Sequence, residues 1–260
     1  FSESGDIYRA IQKCVLNRSG YLYDEPHFLL QQEVSEVGSY FSIIKAIAAG
    51  NHKLSTIAAV LEVKSTNLTK YLKTLMDLDI LERRVPVTEE NPEKSKRGLY
   101  KIKDNYLRFW FAFIYPNMSF IESGHSGIVM DKIRRGLTTS HIGFVYEDIC
   151  QERMWELNVN NAWPFQFSKL GGYWDAKNEI DIAALDPEGK NLILGECKYW
   201  KEPVGLNVLH ALEAKACDVA WERDRRKVWY VLFSISGFSD ELRNHAATRD
   251  DLLLIDDRNE

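Results

Sequence analysis

The 260-residue chain has 45% hydrophobic and 27% charged residues and a formal net charge of −5, which is ordinary for a globular protein with one large or two modest cores. No apolar run reaches the roughly 18–20 residues that a membrane-spanning helix needs, and no signal peptide is recognisable. Its four cysteines show no CxxC spacing and are predicted to be reduced thiols. We therefore expect a cytoplasmic protein without a membrane partner.

The first half of the chain predicts helices followed by a hairpin. Residues 1–35 are predicted to be helical, because apolar residues in DIYRAIQKCVL recur every three or four positions. SYFSIIKAIAAG predicts a helix that Gly50 ends, LSTIAAVLEV a shorter one, and KSTNLTKYLKTLMDLDIL a third with Ser65 as its N-cap. The strand-like runs ILERRVPV and RGLYKIK flank the polar loop TEENPEKSK. Three helices and then a two-stranded wing is the order of a winged helix.

This region is basic within an acidic chain. From Gly38 to Lys103 there are 12 Lys and Arg against 7 Asp and Glu, which favours a polyanionic partner, although a chance imbalance on a solvated face gives the same count. Hydroxyl, amide and cationic side chains suit the phosphates and base edges of double-stranded DNA. The predicted DNA-binding residues are Thr66, Asn67, Lys70, Lys73, Arg83, Arg84, Lys96 and Arg97. The alternative is a winged helix that makes only protein contacts.

The second half predicts an α/β sheet. The aromatic run DNYLRFWFAFIYPN, residues 104–117, is predicted to be a core helix joining two halves, with a boundary near residues 120–138. SHIGFVYEDICQERMWEL then predicts a helix, and FQFSKLGGYW, EIDIAAL and NLILGECKYW predict three strands. VLHALEAKACDVAWER predicts a helix, KVWYVLFS a strand, DELRNHAA a short helix and LLLID a last strand. This αβββαβαβ order predicts a sheet covered by helices.

Three charged residues lie in apolar strands of this half. Side chains alternate along a strand, so Glu196 and Lys198 point to the same face. If the two strands form a hairpin, Asp181 approaches Glu196, and two adjacent carboxylates repel each other unless a cation lies between them. Oxygen ligands select a hard ion such as Mg²⁺ (or Mn²⁺), beside which a lysine can bind a phosphate oxygen. The alternative is an exposed salt bridge at a strand end.

Asp181 followed by Glu196-x-Lys198 on adjacent strands resembles the PD-(D/E)XK nuclease superfamily, and the αβββαβ order matches its core. This resemblance implies catalytic roles for Asp181, Glu196 and Lys198, with Asp181 and Glu196 as metal ligands. Members often add an acid from the preceding helix, which here would be Glu147 as a further catalytic residue and metal ligand. A residue from the helix after the third strand also often points at the site, and the sequence does not choose among Asn207, His210 and Lys215.

A wider resemblance covers nearly the whole chain. Blocks such as YDEPHFLLQQEV, NLTKYLKTLMDLDILERRVPVTE, GLYKIKDNYLRFWFAFI and EIDIAAL…GECKYW resemble the C-terminal half of the archaeal and bacterial DEXX-box-type ATPase family. That resemblance implies an N-terminal P-loop ATPase domain in the same polypeptide. No GxxxxGK[ST] occurs in this sequence, so ATP would be bound only by that other domain. The start at Phe1, without an initiator Met, is expected of a piece of a larger protein.

The predicted fold class is α+β and α/β, a winged-helix domain followed by a restriction-endonuclease-like mixed sheet flanked by helices. The predicted domains are a helical remnant of the ATPase lid (1–35), a winged-helix DNA-binding domain with the aromatic connecting helix (36–120) and a PD-(D/E)XK nuclease-like domain (121–260). The predicted function is DNA binding with Mg²⁺-dependent cleavage. The alternative is an inactive nuclease-fold module that tethers or regulates the ATPase.

Overall fold

The computed structural model describes residues 6–259 and divides the chain into two compact units. The first unit runs to Arg84 and resumes at Gly98–His141, and the second takes Val85–Arg97 and continues from Ile142. No helix of the described range combines the length and the apolar character needed to cross a membrane.

The first unit is helical apart from one short antiparallel strand pair. Its elements in chain order are α1 (Ile7–Cys14), α2 (Glu25–Glu33), α3 (Val37–Ala48), α4 (Leu54–Val60), α5 (Ser65–Asp77), β1 (Leu81–Arg84), β2 (Leu99–Ile102), α6 (Asn105–Phe109), α7 (Met118–Glu122) and α8 (Ser126–Leu137). In the strand pair, Leu81 lies opposite Ile102. From α3 to β2 the chain forms three helices and then two strands, in the predicted order.

The ends of these helices show one local prediction that was confirmed and one that was wrong. Gly50 follows α3 with a φ of +94°, a left-handed conformation that glycine adopts without strain. The predicted N-cap of α5 was wrong, because Lys64 is the capping residue, no side chain caps the helix and Ser65 is its first helical residue. The apolar stripe of α5 is buried as expected, through Leu68 and Leu72.

The aromatic run forms the core of the first unit. Asp104 caps α6 by accepting a hydrogen bond from the Leu107 N–H at 2.7 Å. The helix continues as one turn of π-helix, Trp110–Ile114, in which Trp110 and Phe111 are buried. Phe41 of α3 packs against Phe111 with ring centroids 5.1 Å apart. The predicted core helix is confirmed, and its π-helical turn was not predicted.

The second unit contains a five-stranded mixed sheet. Its elements are α9 (Gly143–Val159), β3 (Lys169–Trp174), β4 (Glu179–Leu185), β5 (Asn191–Lys198), α10 (Leu206–Asp218), β6 (Lys227–Ser234), α11 (Asp240–Ala246) and β7 (Leu252–Asp256). The strands lie side by side in chain order. β3, β4 and β5 are antiparallel, and β5, β6 and β7 are parallel. The predicted αβββαβαβ order and the predicted hairpin of β4 and β5 are confirmed.

Both faces of this sheet are covered by helices. α10 packs with Leu212 against Leu194 on one face, and α9 packs with Met154 against Ile193 on the other. Parallel strands covered on both faces are expected to be continuously apolar, and β5 is buried from Leu192 to Cys197. A charged side chain within that stretch therefore needs a specific compensation.

The loop Val85–Arg97 is anchored to this sheet. The Val87 N–H donates to the carbonyl of Gly172 at 3.0 Å, and the Val87 side chain packs on the apolar face that α10 covers. The Trp174 Nε1–H donates to the Arg97 carbonyl at 2.9 Å. The predicted wing loop therefore folds as a part of the second unit.

Candidate functional site

Glu196 is a buried carboxylate on the apolar face of β5. It follows Leu192 and Leu194 on the face that α10 covers and is only 5% exposed. Lys215 Nζ of α10 donates to Glu196 Oε1 at 2.6 Å, and Lys198 Nζ donates to Oε2. Burying an unpaired carboxylate costs several kcal/mol. Two ammonium groups on one carboxylate offset part of that penalty, although burying them costs free energy as well.

Asp181 shares one of these ammonium groups. The regular pairing of β4 with β5 begins with Ile182 opposite Gly195, so Asp181 lies at the end of the hairpin ladder. Its Oδ2 accepts a hydrogen bond from the Cys197 N–H at 2.9 Å and lies 3.6 Å from Lys198 Nζ. Lys198 therefore bridges the two carboxylates. The structure brings Asp181, Glu196 and Lys198 together at one end of the sheet.

A glycine allows the strands to close around this cluster. A Cβ at Gly195 would lie 2.6 Å from Val231 Cγ1 and 3.2 Å from the Cβ of Ile182. Any side chain at this position would push β4 and β6 away from β5. Gly195 is therefore required for the backbone geometry that places Glu196 beside Asp181.

The electrostatics of the cluster follow from its burial. Burial raises the pKa of Asp181, the negative charge of Glu196 raises it further, and Lys198 opposes both. Burial acts to lower the pKa of Lys198, but Asp181 and Glu196 outweigh it, so that the pKa of Lys198 is raised. With Lys215, two carboxylates face two ammonium groups, and the cluster is neutral overall without any bound ion.

Lys215 is the site residue that sequence reasoning did not choose. Besides binding Glu196, its Nζ donates to the carbonyl of Glu179 at 2.7 Å. The other two options, Asn207 and His210, are exposed. A signal was present, because Lys215 falls between Leu212 and Ala216 in the apolar stripe of α10.

Glu147 does not complete a ready-made metal site. It lies half-buried on α9, beside Tyr146 on the opposite face of the sheet. Its charge contributes to raising the pKa of the Cys197 thiol, after burial, the contact with Cys150 and the charge of Asp181. Within residues 6–259, no three His, Cys, Asp or Glu side chains form a group that could hold a metal ion. Asp181 and Glu196 lie together, and the role of Glu147 as a further metal ligand stays a prediction.

The predicted DNA-binding residues divide into two groups. Thr66, Asn67, Lys70 and Lys73 are all exposed on α5, and Lys70 and Lys73 have no ion-pair partner among the residues that the structure describes. The remaining four predicted residues lie on β1 or in the loop between β1 and β2.

Three of these four, Arg83, Arg84 and Arg97, contact neighbouring groups, whereas Lys96 is exposed. Arg84 pairs with Glu82 at 2.5 Å, and the guanidinium group of Arg83 packs over Gly98. Lys96 and Arg97 belong to the second unit, where Arg97 Nε donates to Glu89 at 2.5 Å. The eight residues therefore do not lie in one compact unit, because the loop between β1 and β2 packs on β3 instead of extending into solvent.

Comparisons with known proteins place the chain among uncharacterized relatives. The model of the DUF234 family, described as archaeal and bacterial proteins of unknown function, matches residues 110–216. An uncharacterized protein of Methanocaldococcus jannaschii is 39% identical over 192 residues, which is 74% of this chain and 42% of the relative. The chain thus spans less than half the length of that relative.

Among solved structures, a repair endonuclease from Pyrococcus abyssi aligns with 40% of this chain and 44% of its own. The identity is 13% and the TM-score is 0.27. A TM-score of this size does not establish a common fold.

Proposed function

We propose that the second unit hydrolyses phosphodiester bonds of DNA with Mg²⁺ or Mn²⁺, through Asp181, Glu196 and Lys198. The observation that carries this proposal is the buried junction of two carboxylates and two lysines at the end of the β4–β5 hairpin. Such a cluster is costly to build into an apolar sheet. Its composition suits phosphate chemistry better than fold stability.

The donor set fits a hard divalent ion. Mg²⁺ commonly takes one or two protein carboxylates and completes its shell with water and substrate phosphate oxygens. Asp181 and Glu196 would be those carboxylates, so a three-residue cage is not required. When bound, the ion would polarise the scissile phosphate and make an attacking water more acidic.

The chain's own residues have distinct roles in this proposal. The Cys197 N–H holds Asp181 in place by a hydrogen bond. Lys215 can release Glu196 while its ammonium group still donates to the carbonyl of Glu179. Lys198 moves from the carboxylates to a non-bridging phosphate oxygen and stabilises the charge that develops there. Glu147 remains an auxiliary residue that would have to approach from α9.

We further propose that α3 to β2 form a winged helix in which α5 enters the major groove of double-stranded DNA. Support comes from Thr66, Asn67, Lys70 and Lys73, which present hydroxyl, amide and ammonium groups to solvent on one helix. In this proposal residues 1–35 are the end of an ATPase lid, and an N-terminal P-loop ATPase domain of the same polypeptide supplies the ATP site. The length of the relative, of which this chain covers 42%, leaves room for such a domain.

The experiment is a cleavage assay on plasmid and linear duplex DNA with Mg²⁺ or Mn²⁺. The wild-type chain should nick or cut DNA only when the ion is present. Asp181→Asn and Lys198→Ala should abolish cleavage, and Lys198→Ala should still bind the ion. Lys190→Ala, which removes an exposed ammonium group that pairs with Glu188, is the matched control and should cut normally.

Cleavage that survives Asp181→Asn would contradict the proposed site. If wild-type protein binds DNA but cuts none of it with either ion, the inactive nuclease-fold module is the better account.

A further inference from the structure

A second charged feature in the first unit is formed by residues outside α5 and the β1–β2 strand pair. A cleft of about 550 Å³ opens between α1 with the turn that follows it and the α7–α8 junction. Its volume falls within the roughly 300–1,000 Å³ of sites for small ligands. The residues on which the inference depends are Arg9, Lys13, Leu16, Arg18, Ile121 and Ser126.

The cleft is lined by cations without counter-ions. Arg9, Lys13 and Arg18 contribute three positive charges, and none of the described residues that line the cleft is acidic. None of the three forms an ion pair within residues 6–259. Arg9 and Lys13 are four residues apart on α1, where like charges destabilise a helix. All three side chains are exposed, so their charge alone is weak support for a ligand, and the inference depends on the cleft that gathers them beside the start of α8.

The opposite wall adds neutral donors. α8 begins at Ser126 without a side-chain cap and without an acidic residue in its first turn. The Ile128 N–H donates to the carbonyl of the N-cap residue His125 at 3.1 Å, and the start of the helix carries the positive end of the helix dipole. Gln12 Nε2 donates to Ser126 Oγ at 3.4 Å, which joins α1 to the start of α8. Leu16 and Ile121, both buried, line the same cleft.

We propose that this cleft binds phosphate groups, carried either by a free oligophosphate of nucleotide size or by a nucleic-acid backbone. Guanidinium and ammonium groups beside a helix N-terminus are a recurring set for phosphate oxygens. The site is separate from the cluster around Glu196 and does not depend on the proposed nuclease activity.

Two binding measurements on the full chain test the proposal and separate the two sources. Inorganic tripolyphosphate is titrated calorimetrically at low salt without metal, and duplex DNA binding is measured over a range of salt concentrations. The test variant is Arg9→Ala with Lys13→Ala. The matched control is Lys201→Ala with Arg225→Ala, which removes the same charge from exposed positions of the second unit.

If the ligand is a free oligophosphate, the test variant should bind tripolyphosphate at least tenfold more weakly than wild type and the control should not. If it is a nucleic-acid backbone, the salt slope of DNA binding should fall by about two in the test variant alone. Exchanging the two cations, by Arg9→Lys with Lys13→Arg, should preserve the affinity. The proposal is overturned if the test variant matches wild type in both titrations, or if the control loses as much binding as the test variant.

Discussion

Lysine side chains occupy two opposite environments in this molecule. Lys70 and Lys73 extend from α5 into water, without ion-pair partners among the described residues. Lys198 and Lys215 lie against the carboxylates of a covered sheet. An exposed charge is solvated and adapts to any counter-ion, whereas a buried charge requires a partner in a fixed position.

This difference separates two kinds of functional inference. Exposed cations on a helix cost little, so their number alone is weak support for a ligand. A buried cluster pays for desolvation even when its charges are paired, so its presence in an otherwise apolar sheet needs an explanation. The structure therefore supports a chemical role for the cluster around Glu196 more strongly than it supports DNA binding by α5.

The largest effect is expected at Glu196. Glu196→Gln removes the negative charge that Lys198 and Lys215 share and leaves them with Asp181 alone, so it should cost about 3 kcal/mol of unfolding free energy. Urea denaturation of the metal-free protein measures this value. The control Lys190→Ala breaks an exposed pair and should cost less than about 0.5 kcal/mol. Equal costs for the two variants would remove the contrast between buried and exposed charge.

His141 represents a third environment, in which a buried side chain has no carboxylate partner and stays uncharged. Burial, together with the charge of Arg108, lowers the pKa of His141 to about 4, and its buried Nδ1 has no hydrogen-bond partner within residues 6–259. The unfolded chain therefore binds a proton more tightly than the folded chain. The resulting stability is present above the ordinary histidine pKa of 6.5 and is lost as the pH falls towards about 4.

Stability measured at several pH values checks this. The difference in unfolding free energy between wild type and His141→Leu should change by about 2 kcal/mol between pH 7 and pH 4, a value discounted for the part of the ring that water reaches. A difference that is independent of pH would show that His141 has an ordinary pKa.

A smaller effect is expected from Lys215. Lys215→Met leaves Glu196 with Lys198, so the metal-free protein should lose about 1–2 kcal/mol of stability. A divalent ion then no longer competes with the Lys215 ammonium for Glu196. Added Mg²⁺ should raise the melting temperature of this variant more than that of wild type. A smaller rise in the variant would mean that Lys215 supports the ion and does not compete with it.

The smallest effect on stability is expected for the exposed lysines. Lys70→Ala with Lys73→Ala should change the unfolding free energy by less than about 0.5 kcal/mol, because both side chains are solvated. If α5 binds DNA, the same double variant should flatten the salt slope of binding by about one unit for each phosphate group that it no longer neutralises. Unchanged DNA binding would exclude α5 as the recognition helix.

Local pattern predicted most of the secondary structure of the second unit and part of its site. The bounds of β4, β6 and β7 match the runs EIDIAAL, KVWYVLFS and LLLID, because buried strands produce compact apolar segments between turn residues. The alternation of side chains placed Glu196 and Lys198 on one face, and the short connection between β4 and β5 implied the hairpin that brings Asp181 to them.

The parts of the site that the sequence did not predict depend on packing between distant segments of the chain. The apolar stripe of α10 includes Lys215, but the contact of its ammonium group with Glu196 follows only from the packing of α10 on β5. Arg97 was expected on an exposed wing, but the loop folds onto β3 through Val87 and Trp174. The place of Glu147 in the site stays a prediction, because α9 also reaches the cluster, where Gln151 Nε2 donates to the Asp181 carbonyl at 3.4 Å. These contacts join residues 19 to 85 positions apart along the chain, beyond the reach of periodicity or spacing.

The most direct test of the account is Mn²⁺ binding, followed by electron paramagnetic resonance, to wild type and Asp181→Asn. The account predicts one Mn²⁺ per wild-type chain, displaced by Mg²⁺, and no comparable binding to Asp181→Asn, whose amide still accepts the Cys197 N–H hydrogen bond but lacks the charge. It also predicts that metal-free Asp181→Asn is at least as stable as wild type, because burial and Glu196 raise the pKa of Asp181. Equally tight Mn²⁺ binding by both proteins would contradict the assignment of this cluster as a metal site.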